Sequence, residues 1–279
     1  MEMEKQFIES LVNKIGSCKG IEDASTLVVG GSWLQHGPPY LAAISALKAN
    51  VGRVYLAAPK TLSTVYRIMS PDMIVLPLPD MKFTKGCARK LIKWMPKVKS
   101  ILLGPGLGKG CREGLEVFIK ETKNIPLILV DEALHYDIIR MLDSKMHILL
   151  VTAKEFQHLF DTILPENFKE REKIVESKAR EVNLTVFLKD SNDIISDGES
   201  TIVYNPRIKY SFVHRSLNVT AGLLAAYITK GLTSFEAGAL ASYVGGRICE
   251  LVFERKGSYF VSSELVEYIQ PVHLELNTV

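Results

Sequence analysis

The chain has 279 residues, of which 47% are hydrophobic and 23% charged, with a net charge of +3. That length supports one large core, and the near-even charge balance leaves no dense basic stripe of the kind that grips nucleic acid, so no nucleic-acid partner is expected. No apolar run reaches the roughly 18–20 residues that cross a bilayer. Cys18, Cys87, Cys111 and Cys249 lie far apart with no C-x-x-C, so they make neither a zinc site nor a disulfide framework. The N-terminus is charged and helical rather than a signal peptide. A cytoplasmic protein without a membrane anchor is expected.

Glu4 to Ile15 carries Phe7, Ile8, Leu11, Val12 and Ile15 at helical spacing, and Gly16 and Gly20 break the pattern. Thr26–Val29 reads as a buried strand running into Gly30, Gly31 and Ser32. The loop Trp33–Pro39 follows, then a helix over Tyr40–Asn50 whose start suits the two prolines. Val54–Ala58 is a strand, Thr61–Ile68 a short helix and Met73–Leu78 another strand. The basic run Lys82–Lys99 reads as the wet face of an amphipathic helix, with Leu91, Ile92 and Trp94 partly inward.

Ser100–Leu103 is a short buried strand. Three glycines in five residues follow it, Gly104, Gly106 and Gly108, and Cys111–Thr122 is then helical. Ile125–Val130 is a continuous apolar strand ending in Asp131 and Glu132. Strand, glycine loop, helix and strand make a βαβ unit and a parallel sheet covered on both faces. The glycine spacing matches neither G-x-G-x-x-G nor the Walker pattern. It can cradle an anion against backbone N–H groups, or it can simply turn the chain.

Met146–Val151 is one more strand, with Thr152, Ala153, Lys154 and Glu155 at its end. Lys169–Arg180 is a charged helix. Leu184–Leu188 is a strand ending in Lys189–Asn192. Ile194–Ile195 and Thr201–Tyr204 flank Asp197–Gly198 as a hairpin. After the polar segment Asn205–Ser216, either Ser216 or Asn218 suits the N-cap of a buried helix, Val219–Lys230, closed by Gly231. Ser234 suits the N-cap of Phe235–Glu250. One α/β domain over residues 1–279 is expected, alternating to about residue 190 and helical thereafter. In a parallel sheet the strand ends gather at one crevice. Two glycine loops, a lysine and a buried helix N-terminus there suit a ligand with several phosphates, a nucleotide or dinucleotide.

The run from Val28 to Lys60 (VVGGSWLQHGPPYLAAISALKANVGRVYLAAPK), Ser70–Pro79 (SPDMIVLPLP), Leu102–Gly108 (LLGPGLG), the strand end LVDEALHYD and Gly231–Arg247 (GLTSFEAGALASYVGGR) carry a resemblance. Together they resemble the ADP/ATP-dependent NAD(P)H-hydrate dehydratase family, the YjeF C-terminal domain of the ribokinase-like superfamily. The likeness covers about residues 25–250, with residues 1–24 as a helical extension. It implies a three-layer α/β/α fold with a mainly parallel central sheet. It implies a lyase that dehydrates hydrated NADH or NADPH, coupled to hydrolysis of ADP or ATP that brings Mg²⁺ with it, and no metal held by the protein alone. It also implies a homo-oligomer, a tetramer in the family. Substrate contacts would fall on Gly30, Gly31, Ser32, Gly37, Gly104, Gly106, Gly108, Thr152 and Glu155, and nucleotide contacts on Lys189, Ser191 and Arg215.

This chain departs from the family pattern at four places, the first being Glu132 where the family's strand end has its second aspartate. Thr152 stands where the family has a histidine. The K-G-A-G-T loop reads Lys189-Asp190-Ser191-Asn192-Asp193. The G-T-G-D signature reads Arg215-Ser216-Leu217-Asn218, so the family's catalytic aspartate position holds Asn218. A carboxamide cannot take a proton at neutral pH. Arg215 can bring charge to a phosphate or be an ordinary surface arginine, and His36, His135, His158 and His214 are candidate substitute bases, His36 first. Two other readings stay open: a nucleotide-binding or assembly subunit without turnover, and a small-molecule kinase.

Overall fold

The computed structural model describes residues 2–17, 24–205 and 212–277, so Cys18 and Gly20 lie outside the described residues. In chain order the elements are α1 (Glu2–Gly16), β1 (Ser25–Val29), α2 (Gly37–Lys48), β2 (Arg53–Pro59), α3 (Lys60–Met69), β3 (Ile74–Leu78), α4 (Lys85–Trp94), β4 (Ser100–Leu103), α5 (Arg112–Thr122), β5 (Leu127–Leu129), α6 (Tyr136–Ile139), β6 (Ile148–Thr152), α7 (Ala153–Phe160), α8 (Phe168–Val182), β7 (Thr185–Lys189), β8 (Asp193–Ser196), β9 (Thr201–Tyr204), α9 (Val213–Thr229), α10 (Ser234–Lys256), α11 (Ser262–Leu265) and α12 (Ile269–Asn277).

The strands form one sheet in the order β3-β2-β1-β4-β5-β6-β7-β8-β9. β1 to β7 are parallel, and β8 and β9 close the edge as an antiparallel hairpin. Continuous apolar runs make this arrangement possible, because alternate side chains point to opposite faces and both faces are covered. Val28, Leu102, Ile128, Leu150 and Phe187 meet α2, α9 and α10. Leu27, Leu103, Leu129, Leu149 and Val186 meet α4, α5, α7 and α8. Each buried leucine or valine contributes about 1.5–3 kcal/mol by leaving water. The result is an α/β fold with a mainly parallel central sheet, as the resemblance implies.

Several boundaries differ from the sequence reading, each for a local reason. α9 starts at Val213, so neither Ser216 nor Asn218 is its N-cap; that position is Phe212. Leu217 is buried in the same cluster as Val219 and Ala221, and gaining that burial extends the helix toward its start. The Ser216 hydroxyl bonds back to the Phe212 carbonyl, 3.0 Å away. α10 is capped by Thr233 in a reciprocal box with Glu236, one residue before Ser234, and it runs to Lys256. The basic run yields only the ten-residue α4, ended before Pro96. Trp94 is 48% exposed, with the Lys90 ammonium 4.2 Å above its ring. α1 forms where expected and buries Ile8, Leu11, Val12 and Ile15, and Lys14 reaches Glu236 of α10 at 2.8 Å.

α2 and α9 lie unusually close because small residues face each other. A Cβ on Gly222 would stand 2.2 Å from the Ala42 carbonyl oxygen and 2.7 Å from the Ser45 Cβ. Gly222→Ala should therefore lower stability by about 1–3 kcal/mol, because overpacking outweighs the better helix propensity of alanine. Thermal denaturation checks this; an unchanged or raised Tm would contradict the close contact.

Candidate functional site

The order of the strands places a switch point at β1. Its neighbours are β2 on one side and β4 on the other, so the chains leaving β1 and β4 run apart. In open α/β sheets the crevice for ligands lies just there, beyond the carboxyl ends. Gly30, Gly31 and Ser32 leave β1, and Gly104, Gly106 and Gly108 leave β4. The two loops touch: the Gly31 N–H donates to the Pro105 carbonyl at 2.9 Å. A Cβ on Gly30 would sit 2.4 Å from that same oxygen, and one on Gly104 would sit 1.8 Å from the Val130 carbonyl oxygen. Gly104 also has a φ of +124°, which side chains rarely adopt.

Many amides of this crevice are already engaged. Gly30 donates to Ala57, Ser32 to Gln35, Gly104 to Val29 and Leu107 to Gly104. The backbone N–H groups of Leu107 and Gly108 lie toward the Glu132 carboxylate and favour its charge. The glycines thus serve first to let the loops close on one another. Gly37 lies apart from this contact, as the first residue of α2 with open space around it.

Along the same edge, β4, β5, β6 and β7 are consecutive neighbours. Beyond β5 come Asp131 and Glu132, and beyond β6 come Thr152 and Glu155. Thr152 and Glu155 cap α7 reciprocally; the Thr152 N–H and hydroxyl donate to one Glu155 oxygen at 2.8 and 2.7 Å. Asp131 holds a left-handed backbone, φ 46°. Burial pushes its carboxyl up to about 7, and the charges of Glu155 and Glu132 add to the push. Burial also raises Glu132, against the backbone N–H groups that favour its charge, and its Oε2 is buried without a partner among the described residues. Sequence reasoning placed Asp131 at the strand end without reading it as a titrating group; three carboxylates arriving at adjacent strand ends were the available signal.

α9 points its positive end at this edge. Ser100, which opens β4, bonds to the Ala225 carbonyl at 3.1 Å and the Thr229 hydroxyl at 2.8 Å, near the last turn of α9. The helix therefore ends at the amino edge of the sheet and begins at the carboxyl edge, where its dipole favours anions. Arg215, in the first turns, donates to the Ser258 carbonyl at 2.8 Å and lies over the ring of Phe260 at 5.0 Å. Asn218 is half-buried within the helix, and its Oδ1 is buried with no hydrogen-bond partner among the described residues.

Lys189 turns inward. Its ammonium meets the Asp193 carboxylate at 2.8 Å, and Ser242 of α10 donates to the same carboxylate at 2.7 Å. Both side chains are buried. Ser191 is exposed beside Asp190. Of the four histidines, His36, His158 and His214 are exposed and His135 is half-buried before α6; the His36 carbonyl accepts from the Tyr66 hydroxyl at 2.9 Å, and the His135 carbonyl accepts from the Ile138 and Ile139 N–H groups at 3.0 Å. No group of three or more His, Cys, Asp or Glu among the described residues stands at metal-holding geometry. A cavity of about 530 Å³ lies at the opposite, amino edge, lined by Phe7, Met146, Ile228, Leu232 and Phe235. It is far from the converging loops. No helix of the described residues is long and apolar enough to cross a membrane.

The raised Asp131 carboxyl has a stability consequence with a definite sign. Its ordinary value is 3.8 and its folded value about 7, so as pH rises the unfolded chain loses its proton first. The contribution is whole below about pH 4 and is lost as pH climbs through 7. Asp131→Asn should be more stable than the wild type by about 2–4 kcal/mol at pH 8, with the advantage shrinking toward pH 4. A Tm difference independent of pH, followed by calorimetry, would contradict the placement of this group.

A family model described as NAD(P)H-hydrate dehydratase matches residues 26–271. An ADP-dependent (S)-NAD(P)H-hydrate dehydratase from Nitrosopumilus maritimus is 35% identical over 271 residues, which is 96% of this chain and 93% of that one. A Bacillus subtilis ADP/ATP-dependent NAD(P)H-hydrate dehydratase, co-crystallised with ATP and Mg²⁺, superposes with a TM-score of 0.76 at 17% identity over 93% of this chain and 92% of its own. A ribokinase-like superfamily protein of Enterococcus faecalis superposes with a TM-score of 0.75 at 14% identity, over 98% and 94% of the two chains. The chain belongs to the NAD(P)H-hydrate dehydratase family, on the ribokinase-like fold.

Proposed function

We propose that the chain is an ADP- or ATP-dependent NAD(P)H-hydrate dehydratase that works at the crevice between β1 and β4. The observation that carries this reading is the contact of the two glycine loops at the switch point. The chain that makes it is 35% identical to a protein named for the ADP-dependent reaction. The nucleotide supplies the phosphoryl group that turns the hydrate's hydroxyl into a leaving group. Mg²⁺ enters with the nucleotide phosphates, whose charge it offsets.

The residues divide the work as follows. The α9 N-terminus and Arg215 offer positive charge to phosphate. The unpartnered Asn218 Oδ1 accepts a hydrogen bond from the hydroxyl and orients it, but cannot keep its proton. Asp131, with a carboxyl near neutrality, is the rim group suited to receive that proton. Gly30, Gly31, Ser32, Gly104, Gly106 and Gly108 shape the floor, and Thr152 and Glu155 hold the α7 end of the rim. Lys189 acts at one remove, because Asp193 takes its ammonium. A second reading, a nucleotide-binding subunit without turnover, draws on the asparagine at 218 and on the engaged loop amides.

Titration calorimetry with ADP, ATP, NADH and NADPH, with and without Mg²⁺, and turnover of NADH hydrate test the proposal together. Mg²⁺-dependent nucleotide binding and hydrate consumption are expected. Asn218→Ala should lower turnover, and Asn218→Asp should raise it by about 10-fold or more, within the usual reach of a positioned base. The single change is the clean one, because Leu217 is a buried core residue and glycine there would open a cavity. Binding without turnover, unmoved by Asn218→Asp, would favour the subunit reading; binding of none of the four would remove both.

A further inference from the structure

Beside the glycine loops runs an open groove of about 680 Å³ that shares Ser32 and Gly108 with the floor described above and whose outer residues, Trp33, Lys82 and Lys109, have no role there. One wall is the tip of the β1 loop. Ser32 and Gln35 exchange backbone hydrogen bonds at 3.2 and 3.0 Å, and this tight turn thrusts Trp33 outward. Trp33 is 62% exposed, yet its backbone is fixed, because its N–H donates to the Met81 carbonyl at 3.3 Å. An exposed indole on a pinned backbone is a ready stacking surface. The opposite wall carries Lys82 and Lys109. Neither ammonium has a carboxylate partner among the described residues, and Lys82 Nζ lies 3.2 Å from where a Cβ on Gly110 would be. The one acid of the groove, Asp80, is turned toward α4, accepting from the Thr84 hydroxyl and, at 3.7 Å, from the Cys87 thiol.

The groove opens directly into the crevice. A Cβ on Gly108 would stand 3.0 Å from Ser32, so the two glycine loops form its inner end. A π-face flanked by two unpaired cations, continuous with the site of reaction, fits a nucleobase with phosphate attached. We propose that this groove takes the adenosine half of the dinucleotide substrate, with Trp33 stacking on the adenine and Lys82 and Lys109 favouring a 2′-phosphate. Trp33, Lys82 and Lys109 would then set the preference for the NADPH form over the NADH form. The identity of the substrate rests on the reading in the preceding subsection; the chemistry of the groove does not.

The chain has two tryptophans, so a Trp94→Phe background makes Trp33 the sole indole reporter. Adenosine 2′,5′-bisphosphate is expected to quench its emission and to bind at least about tenfold more tightly than 5′-AMP, within the usual worth of charge-assisted contacts. Lys82→Ala with Lys109→Ala should erase that preference while leaving quenching by 5′-AMP. In the wild-type background, Trp33→Ala should weaken NADPH binding by about tenfold, the usual worth of one aromatic stack. Equal affinities for the two probes, unmoved by the lysine changes, would overturn the proposal. So would a Trp33→Ala protein that binds NADPH normally but changes its sedimentation coefficient, which would make the patch a contact between copies. Hydrate turnover separates the two readings. Turnover with dinucleotide affinity indifferent to Trp33 removes the groove and keeps the reaction. Trp33-dependent binding without turnover removes the reaction and keeps the groove.

Discussion

The molecule depends on the divergence of β1 and β4. Two neighbouring parallel strands send their chains in opposite directions, and only residues without side chains let the departing loops meet. Gly30 of the β1 loop faces the Pro105 carbonyl of the β4 loop, and Gly104 faces the Val130 carbonyl at the end of β5, both at distances that leave no room for a Cβ. Once the loops are locked, everything beyond the carboxyl edge is placed relative to them. The acids of β5 and β6 follow along the same edge, and α9, whose last turn lies at the amino edge, begins at the carboxyl edge. The crevice is thus a product of strand order and sterics before it is a product of any polar group.

That order has an electrostatic consequence. Asp131 and Glu132 leave β5 at a partly buried edge, and burial, with the charge of Glu155 at the end of β6, makes ionising either of them harder. Leu107 gives its N–H to Gly104, and the backbone of Leu107 and Gly108 favours the charge of Glu132 from close by. The helix dipole of α9, which begins at the same carboxyl edge, favours negative charge there. A phosphate arriving with Mg²⁺ suits such a rim better than a bare anion, because the cation offsets the carboxylates. Lys189 is spent deeper, in a buried pair with Asp193 that Ser242 completes.

The strands were the most legible part of the sequence. Apolar runs buried on both faces announce themselves, and each of the nine lies where the runs put it, including the hairpin around Asp197–Gly198. The glycine loops were legible for the same reason, since three glycines after a short strand leave few alternatives. The start of α9 was not, because Phe212 to Asn218 contains no breaker and the polar residues there look like caps; burial of Leu217 decided the matter, and burial is a tertiary fact. The inward turn of Lys189 was hidden likewise: its partner is four residues away, but the hydroxyl that completes the pair comes from α10. The state of Asp131 needed the neighbours on β6, and no local pattern reports those.

Amide hydrogen exchange with and without Mg-ADP tests the central claim most directly. Nucleotide bound at the switch point would slow exchange at residues 30–37, 104–110, 131–135 and 213–220, four segments distant in sequence, and leave the amino edge near Phe7 and Phe235 unchanged. Protection confined to that amino edge, or absent from the glycine loops while the nucleotide is bound, would contradict the account.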